Sequence, residues 1–115
     1  MQYHNSEGKN LPPHIFTLAV NAYNRIFSSC KSQGLIMLGE SGSGKTENSK
    51  LILKTLAQIS NKSHGNLTEK MMYIHIILEC FGNAKTISNE NSSRFTKLVT
   101  LSINCNTREI ASVKI

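Results

Sequence analysis

The sequence predicts an α/β fold in which a partial sheet carries flanking helices and ends in a β-hairpin. Three observations predict it. The apolar run Leu35 to Leu38 is bounded by Gly34 and Gly39, as a strand buried on both faces would be. The glycine-rich stretch GESGSGKTE follows at 39 to 47 and leads into a segment with helical spacing. From residue 97 onward, apolar and polar residues alternate in two runs, and Asn104-Cys105-Asn106-Thr107 supplies the turn between them.

In chain order, residues 1 to 11 are polar and Pro12-Pro13 punctuates before a helix over 14–31. There Ile15, Leu18, Ala19, Ala22, Ile26 and Cys30 recur at helical spacing, and Gly34 closes the element. The strand at 35–38 and the glycine loop at 39–46 precede a second helix over 46–59, which carries Leu51, Ile52, Leu53, Leu56 and Ala57 among lysines. Residues 60 to 66 read as a polar loop, and Asn66-x-x-Glu69 as a capping box for a third helix over 68–81 that Gly82 stops. Residues 83–96, rich in Asn and Ser, read as a loop before the hairpin at 97–115, whose alternation is clearest at Ala111, Val113 and Ile115.

The chain has 115 residues, 39% of them apolar and 17% charged, a composition suited to a packed core and unlike that of a disordered segment. Its net charge of +6 comes from 13 basic residues scattered among seven acids, every one of them glutamate. A scattered basic balance of this kind suits an anionic ligand and equally suits a solvated face. Cys30, Cys80 and Cys105 form no C-x-x-C pair, so they read as reduced and mostly buried. No apolar stretch has the length of a membrane span, and the N-terminus lacks a signal-peptide pattern, so the expectation is an intracellular protein. His75, with no metal-spaced partner, reads as a satisfied and partly buried histidine, and Met71 and Met72 as core fillers. Lys50, Lys54, Lys62 and Lys70 read as a solvated face.

Gly39-Glu40-Ser41-Gly42-Ser43-Gly44-Lys45-Thr46 fits G-x-x-x-x-G-K-[ST], the phosphate-binding loop. Glycines let the backbone turn through positive φ so that successive N–H groups face inward, and the following helix adds its N-terminal dipole to the same anion site. Lys45 supplies a point charge for the β and γ phosphates, and the Thr46 hydroxyl an oxygen ligand for magnesium. The loop names a nucleoside triphosphate with magnesium as ligand, and a P-loop NTPase-type fold. By itself it leaves kinase, GTPase, helicase and motor open.

NENSSRF, Asn89 to Phe95, places two hydroxyls, two amides and an arginine in one polar loop, the chemistry of a γ-phosphate sensor. Taken with GESGSGKTEN, with PPHIF at 12 to 16 and with ILECFGNAKT at 77 to 86, it resembles the myosin motor domain over residues 11 to 115. The resemblance implies that this is part of a larger motor domain and that NENSSRF is its switch I. It implies ATP and Mg2+ as cofactors, held by Gly39, Glu40, Ser41, Gly42, Ser43, Gly44, Lys45, Thr46 and Glu47. It further implies that Thr46 and Ser93 ligate the metal, that Asn89 contacts the phosphates and that Ser92 helps hold the attacking water. Arg94 would pair with a switch II glutamate. Lys45, Asn89, Ser92, Ser93 and Arg94 are thus the candidate catalytic residues for in-line attack of water on the γ-phosphate.

By the same resemblance the parent is a cytoplasmic, cytoskeletal motor that hydrolyses MgATP to move on actin filaments, through parts not present here, with neither nucleic acid nor a membrane span involved. The chain departs from the family in having no aspartate for a Walker B or switch II element, and in having Thr96 where glycine usually follows the R-F of switch I. Threonine does not adopt positive φ cheaply, so either the backbone there is extended or the loop is altered. The alternative is a truncated or degenerate nucleotide-binding remnant without ATPase activity. On either reading the chain alone is expected to be inactive, with an incomplete sheet that exposes apolar surface.

Overall fold

The computed structural model describes residues 14–60 and 65–115. The polar N-terminus, Pro12-Pro13 and most of the polar loop after residue 60 lie outside the described residues. The elements run α1 (Ile15–Ser29), α2 (Lys45–Ser60), α3 (Gly65–Gly82), β1 (Asn83–Ala84), β2 (Ser92–Ser93), β3 (Thr100–Ile103) and β4 (Ile110–Lys114).

His14 caps α1, its Nδ1 accepting the Phe16 amide at 3.2 Å. The helix ends on Cys30, whose φ of 53° puts it in the left-handed region, so the cap falls four residues before Gly34. Its buried residues are Ala19 and Tyr23, with Ile15 and Phe27 half-buried beside them. The inner stripe thus runs at steps of four through Tyr23 rather than through Ala22, and Leu18 is exposed. Tyr23 belongs inside because its phenol donates to the Arg108 carbonyl, which satisfies the one polar group on a large apolar ring. Burial holds that phenol above its ordinary value of 10.0, with Arg108 opposing and Glu109 adding to the shift.

Ile52 and Leu56 of α2 pack against Ala19 and Tyr23, and Leu35, Met37, Ile59, Leu101 and Ile103 close over them. The core therefore lies between α1 and α2, with the hairpin on one side. Lys45 and Gly65 begin α2 and α3, so Asn66 lies inside α3 rather than at its N-cap.

The sheet differs from expectation in three ways. Leu35 to Leu38 joins no strand ladder among the described residues. Leu35 and Met37 are half-buried against the core, whereas Ile36 and Leu38 are 79% and 86% exposed, so the segment is covered on one face and not on both. Second, residues 83–96 are not wholly loop, because β1 and β2 pair antiparallel with Asn83 opposite Ser93 and Ala84 opposite Ser92. Third, the β3–β4 hairpin contains a bulge next to Ser102 and Ile103, where Ile103 faces Ile110 and Ser102 faces Ser112. Ala111 is the extra residue, which reverses the alternation at that point. Ile110 is buried, and Ala111 and Ile115 are exposed.

The cysteines are free, and all three are exposed rather than buried. No helix among the described residues is long and apolar enough to cross a membrane.

Candidate functional site

The glycine loop leaves the Leu35 to Leu38 segment and enters α2. Gly39, Gly42 and Gly44 have φ of 150°, 81° and 85°, conformations that side chains with a Cβ rarely adopt. Gly39 is also short of space, since a Cβ there would lie 2.6 Å from Ser43 Oγ. The Ser43 amide donates to Glu40 O at 3.2 Å and the Asn48 amide to Gly44 O at 2.9 Å. The first turn of α2 therefore presents N–H groups without intrahelical acceptors at the loop's mouth. Lys45 Nζ folds across that mouth and donates to the carbonyls of Gly39 at 2.6 Å and Glu40 at 2.5 Å.

The β1–β2 ribbon holds the second loop. Thr86 closes it by exchanging hydrogen bonds with Asn89, its amide donating to Asn89 O at 2.8 Å and its Oγ1 accepting the Asn89 amide at 3.1 Å. Asn83 Nδ2 donates to Asn91 Oδ1 across the ribbon at 2.8 Å. Ser92, 2% exposed, then lies with its Oγ 3.1 Å from Ser41 Oγ of the glycine loop. Asn89 Nδ2 reaches the same Ser41 hydroxyl at 3.5 Å, and Arg94 Nη1 donates to Ser92 Oγ at 3.4 Å. Ser41 is thus the point at which Asn89, Ser92 and, through Ser92, Arg94 meet the glycine loop. Thr46 and Ser93 are half-buried residues, and their hydroxyls make no hydrogen bond to another described side chain. No cluster of three His, Cys or Glu side chains among the described residues has metal-binding geometry.

The loop's exit is fastened to α3. The Arg94 amide donates to Gly82 O at 2.9 Å, and the Phe95 ring lies so close over Gly82 that a Cβ there would be 2.1 Å from it. Among the described residues, positive φ outside glycine occurs only at Cys30 and Arg108. Thr96 therefore does not take the positive φ that would strain a threonine.

Beneath the two loops lies a polar cluster that the sequence reading missed. Lys50, read as solvated, is 15% exposed and sits 3.0 Å from Glu47 and 2.8 Å from Glu79. Burial alone would lower its ammonium, but the two carboxylates outweigh it and hold the group above its ordinary 10.5. The Glu79 contact is a close ion pair without the alignment of a directed hydrogen bond, and Glu79 Oε1 accepts none. Glu47 turns towards Lys50 from the first turn of α2. His75 is 2% exposed, with Lys97 Nζ 3.3 Å from its Nδ1 and its Nε2 unpartnered among the described residues, so it is only half satisfied there. The i, i+3 spacing of Glu47 and Lys50 was legible, but the contacts with Glu79 and Lys97 are tertiary and left no local mark.

A family model described as myosin head (motor domain) matches residues 1–115. Unconventional myosin heavy chain 6 of Caenorhabditis elegans is 49% identical over 94 residues, covering 82% of this chain and 4% of that protein. Myosin-1 of Saccharomyces cerevisiae is 44% identical over 108 residues, covering 84% of this chain and 6% of that protein. Myosin-VIIa of Drosophila melanogaster is 48% identical over 96 residues, covering 84% of this chain and 4% of that protein. The chain thus spans a small fraction of the length of each of these relatives.

Proposed function

Since the chain belongs to the myosin head (motor domain) family, we propose that its two loops form the triphosphate half of an ATP site in a P-loop NTPase fold completed by the longer protein. The observation that carries this reading is the meeting of Ser41 with Ser92 and Asn89, which joins the glycine loop to the loop resembling switch I.

The residues fit the ligand. Three positive-φ glycines and the open N-terminus of α2 suit phosphate oxygens, and the Thr46 and Ser93 hydroxyls suit a hard cation that takes only oxygen ligands. Magnesium, when bound, neutralises charge on the β and γ phosphates. Lys45 exchanges the carbonyls of Gly39 and Glu40 for phosphate oxygens, a stronger bond because both partners are charged. Gly39, Glu40, Ser41, Gly42, Ser43 and Gly44 cradle the phosphates through their backbone, and Glu47 orients Lys50 behind them. Asn89 donates its amide to phosphate, and Ser92 holds water in line with the γ-phosphate. The Arg94 guanidinium, exposed and, among the described residues, hydrogen-bonded only to Ser92, is available to an acidic group elsewhere in the longer protein. Hydrolysis depends on such groups, because this chain holds no aspartate. Coupling of hydrolysis to movement on actin filaments, in the cytoplasm and on the cytoskeleton, belongs to the whole protein.

The test is binding of a fluorescent ATP analogue with magnesium, read against Lys45→Ala, together with steady-state ATPase. Magnesium-dependent binding should be lost in the variant, and turnover should be negligible from both chains. Equal binding by the parent chain and Lys45→Ala would overturn the assignment.

A further inference from the structure

His75 is the buried titratable group that the proposed chemistry does not use, and its surroundings are unusual. Its Nδ1 lies 3.3 Å from Lys97 Nζ. An ammonium can only donate, so while Lys97 is charged Nδ1 accepts, and the neutral ring carries its proton on Nε2. Among the described residues that Nε2 is buried without an acceptor, a cost to the fold that calls for an explanation.

The charged groups facing the ring come from three elements. Lys50 of α2 faces it, Glu79 lies one turn further along α3, and Lys97 comes from the segment that leaves β2. Burial, then Lys97 and Lys50, hold the imidazole below its ordinary 6.5 against a smaller opposing pull from Glu79. A proton on Nδ1 would replace the acceptor with a second cation facing Lys97.

Lys97 is tied closely to the candidate site. Its Nζ lies 5.4 Å from the centroid of the Phe95 ring, the ring covers Gly82, and the Arg94 amide bonds to Gly82 O. Arg94 in turn donates to Ser92. Displacing the Lys97 ammonium therefore loosens the contacts that hold the loop's exit on α3.

We propose that His75 is a positioning residue for the Asn89 to Arg94 loop: as a neutral imidazole it accepts a hydrogen bond from Lys97 and fixes the loop's exit on α3, and its protonation releases that exit. The effect on nucleotide affinity rests on the function proposed above. The latch itself does not.

NMR titration of the isotope-labelled chain, following the His75 ring and the backbone amides of residues 89–97, tests it. The amides should move with the same midpoint as His75, below 6.5. In His75→Asn, whose carbonyl accepts but does not titrate, the amides should keep their pH 7.5 positions and lose the transition. Lys97→Met should raise the His75 midpoint by removing a cation. Amides indifferent to the titration, a His75 midpoint at or above 6.5, or a midpoint unchanged in Lys97→Met would each overturn the proposal.

In a second arm, affinity for magnesium and a fluorescent ATP analogue should fall roughly fivefold or more between pH 7.5 and 5.5 in the parent chain, within the ordinary range of coupling between linked sites. It should stay flat in His75→Asn, and an equal fall in both chains would overturn the coupling. Absence of binding at both pH values in both chains would count against the nucleotide reading, and the amide titration would still decide the latch.

Discussion

Gly82→Ala adds one methyl group at the point where α3 meets the exit of the Asn89 to Arg94 loop. The new Cβ would lie 2.1 and 2.2 Å from two atoms of the Phe95 ring and 3.0 Å from a third. No such contact is tolerated, so the ring must leave. Gly82 has no positive φ, so alanine meets no backbone strain there, and its helix propensity favours the variant by up to about 1 kcal/mol. Against this stand about 1–3 kcal/mol for overpacking a filled site and about 0.5–1 kcal/mol for the Lys97 contact with the ring face. The balance is a loss of about 0.5–3 kcal/mol. Urea unfolding measures it as a lower midpoint at constant slope. Phe95→Ala supplies the control, because in its background the added methyl meets no ring and Gly82→Ala should be neutral or stabilising. The reasoning fails if Gly82→Ala matches the parent chain in stability, or if its cost is the same with and without the Phe95 ring.

Further perturbations probe the loops, the polar cluster and the uncovered apolar face. Ser92→Ala removes the hydroxyl shared with Ser41 and Arg94; both partners regain water, so the stability loss should be only about 0.5–1.5 kcal/mol, while amide exchange at residues 89–93 should accelerate. Lys50→Met leaves Glu79 unpaired in a mostly buried place and should cost about 2–3 kcal/mol, whereas Glu47→Gln, at a side chain 73% exposed, should stay within about 0.5 kcal/mol. The Lys50 pair also sets an alkaline limit: the raised ammonium contributes fully below 10.5, and its contribution is lost as pH rises through the higher folded value. His75 sets the acid limit, because a depressed imidazole lowers stability as pH falls below 6.5, so unfolding midpoints should peak between these limits. Ile36, Leu38, Phe81 and Leu98 are each at least 79% exposed, so the chain should bind ANS, and Ile36→Lys with Leu38→Lys should reduce binding without lowering stability; a monomeric, cooperatively melting chain that binds no ANS would refute this.

What the sequence made legible was set by local chemistry. The glycine loop could be read because positive φ at Gly39, Gly42 and Gly44 is a property of each residue and not of its neighbours. The helices and hairpin showed in periodicity, which burial of one face imposes. The β1–β2 ribbon left no such trace: Asn-Ala and Ser-Ser have no apolar alternation, and side-chain amides such as Asn83 and Asn91 help to hold it. Tyr23 escaped the core list because its place depends on a carbonyl 85 residues away. The left-handed cap fell on Cys30 although Gly34 stood nearby. The four-block resemblance located the candidate site residues, but the Ser41 hydroxyl as their meeting point emerged only when the loops were folded together.

The two ends of the Asn89 to Arg94 loop are held by different kinds of contact, and the difference bears on how such a site can work. At the mouth, Ser41, Asn89, Ser92 and Arg94 share hydroxyl, amide and guanidinium hydrogen bonds of 3.1 to 3.5 Å. Each of these can be exchanged for water or phosphate at modest net cost. At the exit, the Phe95 ring fills the surface over Gly82, and Lys97 enters a cluster with His75, Glu79 and Lys50 that is largely shielded from water. Breaking those contacts strands buried polar groups, and that is expensive. The mouth can therefore rearrange at less cost than the exit. Motion of the exit requires a change in the cluster itself, and His75 is the member whose charge changes nearest neutral pH.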